Sequence, residues 1–227
     1  MADNRVNVKV TGLDYMVRGW QDSRGAPGGG GISLPWVQSL VFEGHVFGFH
    51  AGDVTTGIAG HAAVDADQPE IALRVPDGTE VLPLFLRAEI ESGATTLGIH
   101  GVMYSVSNID VANGTSTAFN TDGKPINMRL DNPYGSACIG RHTYSANGTD
   151  PLTTGNFIEL GRVSGLIDSD ATSANTLFTP LELSVLHMVM PVVKDAGSVV
   201  GYGEGGTQAN FFFKIMFVEN QEGWLSS

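Results

Sequence analysis

Cysteine, lysine and long apolar runs are all scarce in this chain, and each shortage closes off a class of protein. Cys138 is the one cysteine in 227 residues, which excludes an intrachain disulfide and a cysteine-built metal site. No run approaches the ~20 apolar residues a helix needs to cross a bilayer. The opening MADNRVNVKV lacks the charged-then-apolar layout of a secretory signal, so neither export nor membrane insertion is expected. Four lysines and eight arginines face fourteen aspartates and ten glutamates, giving a net charge of −12. Nucleic-acid affinity rests on Lys and Arg displacing counterions, so direct nucleic-acid binding is not expected. No period of about 20–50 residues recurs, which argues against solenoids and propellers.

What is present is glycine and β-like texture. With 42% hydrophobic residues, 16% charged residues and 30 glycines, the chain reads as globular and rich in turns. Val6, Val8 and Val10 alternate with polar residues, as a half-buried strand does. GAPGGGG at 25–31 carries too much backbone entropy to order unless something pins it, so residues 1–35 are read as a flexible arm. Residues 36–227 are then expected to form a single domain.

From Leu34 the runs LVFEGHVFGFH and VTTGIAGHAAV mix Val, Phe and Ile with glycine in pieces too short for helices. Pro76-Asp77-Gly78 supplies a turn between strand-like runs. Val81–Ile90 and Leu97–Val106 are bulky at nearly every position, which predicts central strands covered on both faces. Asn108 to Leu152 is broken by Asn-Gly, Asp-Gly and Asn-Pro pairs, so this excursion (108–152) is expected to be dominated by long loops and to carry specificity or subunit contacts. Strands resume in NFIELGRVSGLI and LELSVLHMVMPVV, pass GYGEGG, read as a turn, and end in NFFFKIMFVE. That last run would be an aggregation hazard as a free edge, so it must pair centrally or against another chain. One turn of helix after Asp168 or Ser169 is the main helical signal. The expected fold is all-β, a jelly-roll β-sandwich of about eight to ten antiparallel strands.

Residues that do chemistry are dispersed. His45 and His50 are five apart, so within one strand they would point to opposite faces, and His61, His100, His142 and His187 stand singly. GHVFGFHAG departs from the closely spaced histidines of a cupin-like metal site. No G-x-S-x-G, H-E-x-x-H or P-loop is present. Cys138 has Arg141 and His142 nearby, which would lower its pKa, but a half-buried small residue is the simpler reading. Asp65/Asp67 and Asp168/Asp170 have a spacing that suits a hard cation but lack the rest of an EF-hand loop, and Glu89/Glu91 share one strand face without a sugar platform. Asn113-Gly114-Thr115 and Asn147-Gly148-Thr149 match sequons and read more simply as turns. No enzyme activity, cofactor or bound metal is expected.

The strand textures IALRVPDGTEVLPLFLRAEIES, TLGIHGVMYSVS and NFFFKIMFVEN resemble those of single jelly-roll major capsid proteins of icosahedral viruses. The size and acidity resemble the vertical single-β-barrel capsid proteins of internal-membrane viruses of haloarchaea and thermophilic bacteria. The resemblance spans most of Val37 to Glu219. It implies a virion structural protein made in the host cytoplasm, self-assembling into a capsid through copies of itself or a second capsid protein, with a membrane beneath the shell. Expected subunit contacts are Trp20, Gly28, Gly29, Gly30, Pro35 and Trp36 around the arm, and Asn132, Pro133 and Tyr134 in the excursion. The alternative is a viral decoration, fibre or carbohydrate-binding β-sandwich module, for which Trp20, Trp36 and Trp224 would have to supply an aromatic platform.

Overall fold

A computed structural model describes residues 5–10, 13–18, 36–92, 98–107, 114–131, 135–147, 152, 156–166, 180–194, 196–205 and 209–221. The chain divides into two compact units, Met1–Glu43 and Gly44–Ser227. In the first, β1 (Arg5–Val10), the strand the valine alternation predicts, pairs antiparallel with a second strand that the sequence reading did not anticipate, β2 (Leu13–Arg18), Val6 opposite Val17 and Val8 opposite Tyr15. The third element of this unit is a helix, α1 (Trp36–Glu43), where strand was expected. Its two β-branched residues, Val37 and Val41, are four apart, a spacing that suits a helix face. Gly44, at φ 81°, supplies the left-handed residue that ends it.

The second unit is a two-sheet sandwich. Its strands are β3 (Val46–Ala51), β4 (Ile58–Ala59), β5 (Ile71–Arg74), β6 (Thr79–Ser92), β7 (Gly98–Ser107), β8 (Gly114–Ala118), β9 (Ile126–Asn127), β10 (Ile139–Asn147), β11 (Asn156–Leu166), β12 (Leu181–Ser184), β13 (Val193–Lys194), β14 (Ser198–Glu204) and β15 (Asn210–Gln221). One sheet runs β12-β6-β15-β3-β9, with β13 also on β6 and β4 also on β15, and the other runs β11-β7-β14-β5-β10-β8. The pairings nest: β3 with β15, β5 with β14, β6 with β12, β7 with β11, all antiparallel. One long hairpin rolled so that β6 also meets β15 and β14 also meets β7 produces this order, which is the connectivity of a jelly roll. The remaining strands extend the sheets, so the count exceeds eight to ten.

β15 lies between β6 and β3, inside its sheet, as its hydrophobicity requires. Phe211, Phe213, Ile215 and Phe217 alternate into the core, with Phe212, Lys214 and Met216 on the other face. The facing sheet makes room for these rings with glycine. A Cβ on Gly203 would stand 2.6 Å from the Phe211 ring, and one on Gly201 would stand 2.7 Å from Ile71 and Met103. Hence GYGEGG is not a turn through Glu204: it is the end of β14, an internal strand whose inward positions are emptied for phenylalanine.

β7 is covered on both faces, as predicted. Met103 joins the main core, while Val102, Tyr104 and Val106 form a second cluster with Tyr144, Val200 and Tyr202 on the outer side. β6 is covered on one face only: Leu86, Ala88 and Ile90 are buried, whereas Phe85, Arg87 and Glu89 are half-exposed. Pro83, which cannot donate to a ladder, sits beside a bulge, since Met216 pairs with Phe85 and Phe217 with Pro83, leaving Leu84 as the extra residue.

Within 108–152 the chain also forms strand: β8 and β10 widen one sheet and β9 the other. Two further expectations are corrected. VTTGIAGHAAV contributes only β4 and an isolated bridge from His61 to Glu204. LELSVLHMVMPVV holds strand only at Leu181–Ser184 and at Val193, with a turn between that leaves Leu186 and Val189 65% and 92% exposed. Hydrophobicity alone could not separate a strand from an exposed apolar turn. The segment after Asp168 and Ser169 lies outside the described residues.

Candidate functional site

Of the expected contact residues, Trp20, Gly28, Gly29, Gly30, Pro35, Asn132, Pro133 and Tyr134 lie outside the described residues. Trp36 opens α1 and is 46% exposed, with Phe42 of the same helix also exposed.

The most connected titratable group is one that sequence reasoning passed over. Glu70 is almost wholly buried, and its carboxylate accepts hydrogen bonds from His61 Nδ1 and from the Gly203 backbone N–H, each at 2.6 Å. The surrounding backbone explains the arrangement. Glu70 N–H donates to the Gly201 carbonyl, His61 N–H to the Gly203 carbonyl and Gly205 N–H to the His61 carbonyl. Along β14 the neighbour therefore changes from the antiparallel β5 to the parallel bridge at His61, and Gly203 N–H falls in the gap. The Glu70 side chain takes the place of the missing carbonyl. Burial pushes the Glu70 carboxyl above its ordinary 4.5, opposed by the hydrogen bonds from His61 and Gly203. Its hydrogen bond raises His61 above 6.5. The pair thus keeps a proton to higher pH than a free imidazole would. The groups acting on His61 are Glu70, Asp65 and Gln68, and through Gly203 N–H the pair holds charge and backbone together. The sequence signal was faint: a histidine and a glutamate nine apart across a loop.

Elsewhere the structure separates or stills the groups weighed from the sequence. Cys138 is buried, and burial followed by Glu219 pushes its thiol well above 9.0, the opposite of activation by Arg141 and His142. Glu219 instead accepts from Ala137 N–H at 2.6 Å and from the Ser136 hydroxyl, tying that loop to β15. His45 precedes β3, whereas His50 lies within it and stacks edge-on against Phe119 at 5.4 Å. His142 is held below 6.5 by burial and then by His50, a proximity across 92 positions that no spacing rule reveals. Asp65 accepts from Gln68 Nε2, Glu89 pairs with Arg87, and Glu91 accepts from Gly57 N–H beside a register shift in β6. Among the described residues, no three His, Cys, Asp or Glu side chains gather closely enough to hold a metal ion.

Apolar side chains left in solvent fall into groups. Ile126 on the β9 edge, and Met128 and Leu130 in the bend and turn that follow it, are 49%, 38% and 86% exposed. Ile126 lies opposite Gly48, Gly48 opposite Met216 and Met216 opposite Phe85, so an apolar row crosses the outer face of that sheet. Leu186, Val189 and Val192 form a second group in the turn after β12. Phe157 and Ile158 form a third, on β11, the terminal strand of the six-stranded sheet.

On β11 a polar triad accompanies them. Glu159 accepts from Arg162 Nη2 at 2.9 Å and from the Tyr104 hydroxyl at 3.1 Å. Residues three apart in a regular strand point to opposite faces. Here Glu159 pairs with Tyr104 and Gly161 with Met103, leaving Leu160 as a bulge that returns Arg162 to the face of Glu159. Arg162 holds the Glu159 carboxyl below its usual range.

In comparisons with known proteins, no family model matches this chain and no curated protein matches it.

Proposed function

We propose that this protein is a structural subunit that assembles with copies of itself into a viral shell. The observation that carries the reading is the set of exposed apolar rows on a jelly roll whose own core is already filled. A sandwich that buries Phe211, Phe213, Ile215 and Phe217 needs nothing further from Leu130, Leu186 or Val189 for its stability, yet all three stand in water. Contiguous exposed apolar surface marks an interaction site, whereas single scattered residues do not. Residues 126–130 and 186–192, together with the β11 edge, offer several such surfaces on one subunit. Repeated, individually modest contacts are how closed symmetric assemblies gain stability. The acidity and the resemblance to single jelly-roll capsid proteins support the same reading, with a second capsid protein and an underlying membrane as further partners.

Mass measurement and negative-stain imaging of the purified protein test this. The expected result is a large symmetric particle, or discrete oligomers that grow into one with concentration. A lone 24.0 kDa species that persists at high concentration would overturn it.

A further inference from the structure

We propose that two copies of the chain pair through their β11 edges, antiparallel about a two-fold axis between Leu160 and Gly161, so that Glu159 of each copy faces Arg162 of the other. This rests on the assembly reading above and specifies one of its contacts.

Three observations carry it. β11 is an eleven-residue terminal strand, and among the described residues no strand pairs with its outer side. Long exposed edges are templates for further pairing, and short length, proline, charges and bulges blunt them; β11 has no proline or lysine, and the charges and bulge it carries, Glu159, Arg162 and Leu160, are self-complementary in a second copy. The edge is also apolar at one end, with Phe157 47% and Ile158 60% exposed.

The third observation is charge. Glu159 and Arg162 lie on the same face because of the bulge at Leu160. In the register that places Leu160 opposite Gly161, Glu159 meets Arg162 twice, Ile158 meets Val163 and Phe157 meets Ser164. A shift of three positions one way sets Glu159 against Glu159, and a shift of three the other way sets Arg162 against Arg162. Like charges directly opposite are destabilising, so the strand carries its own selection for one register and for a second copy of itself as occupant. Each pair that is intramolecular in one subunit becomes a four-residue network across the axis, with Tyr104 donating to Glu159 on both sides.

Charge reversal tests this with the full-length chain in sedimentation velocity. Glu159→Arg alone and Arg162→Glu alone should each weaken the dimer about tenfold or more, because every cross-axis pair becomes repulsive. The double variant E159R/R162E should regain wild-type association, and an equimolar mixture of the two single variants should dimerise where neither does alone. The mixture also answers a folding defect, since misfolded variants would not rescue each other. Wild-type assembly that is indifferent to all three variants overturns the edge pairing and leaves the shell reading standing. A wild-type chain that stays monomeric overturns both.

Discussion

At the scale of single residues, the His61–Glu70 pair makes stability depend on pH in a definite direction. His61 has a folded-state pKa above its ordinary 6.5, so its contribution is fully present below that value and is lost as pH rises through the raised pKa. Glu70, also shifted upward, acts in the same sense, because its ionised form is the one that burial penalises. In chemical denaturation the stability advantage of wild type over His61→Gln should therefore shrink as pH rises above 6.5, and His142, whose lowered pKa acts in the opposite sense, cancels in that comparison. An advantage that grows with pH would contradict the pairing. None of this was readable from the sequence, because what places His61 and Glu70 together is the change of ladder partner along β14. The same holds for Glu159 and Arg162. Their spacing puts them on opposite faces of an ideal strand, and only the bulge at Leu160 unites them.

At the scale of elements, strand identity was legible where apolar residues alternated, as in β1, or ran together in short pieces bounded by turn residues, as in β6, β11 and β15. It failed where glycine was taken for punctuation. In β14 the glycines are cavities for the rings of β15, a relation between strands that no local window contains. Gly203→Ala tests it: with Phe211 ring atoms at 2.6 and 2.7 Å from the new methyl, overpacking should cost about 1–3 kcal/mol in urea unfolding. Pairing the change with Phe211→Leu should recover part of the loss, since the smaller side chain vacates the seat. Helix α1 was missed for the converse reason. WVQSLVFE is apolar enough to pass for strand, and its helical spacing shows only once Val37 and Val41 are seen four apart.

At the scale of the whole molecule, the jelly-roll class was anticipated from strand number and texture, but the strand order, with β3 nested against β15 and β5 against β14, belongs to tertiary packing. Both hydrophobic clusters are built from residues beyond Gly44. A chain of residues 44–227 should therefore melt cooperatively with the far-ultraviolet spectrum of a β protein, and a broad, non-cooperative transition would show that residues 1–43 are needed for the fold. The nesting also bears on how the molecule comes into being. Val46 is paired opposite Val218, so the sandwich cannot close until the chain has been synthesised through β15. The strand richest in phenylalanine is synthesised after every strand it pairs with, which shortens the time those rings spend in water.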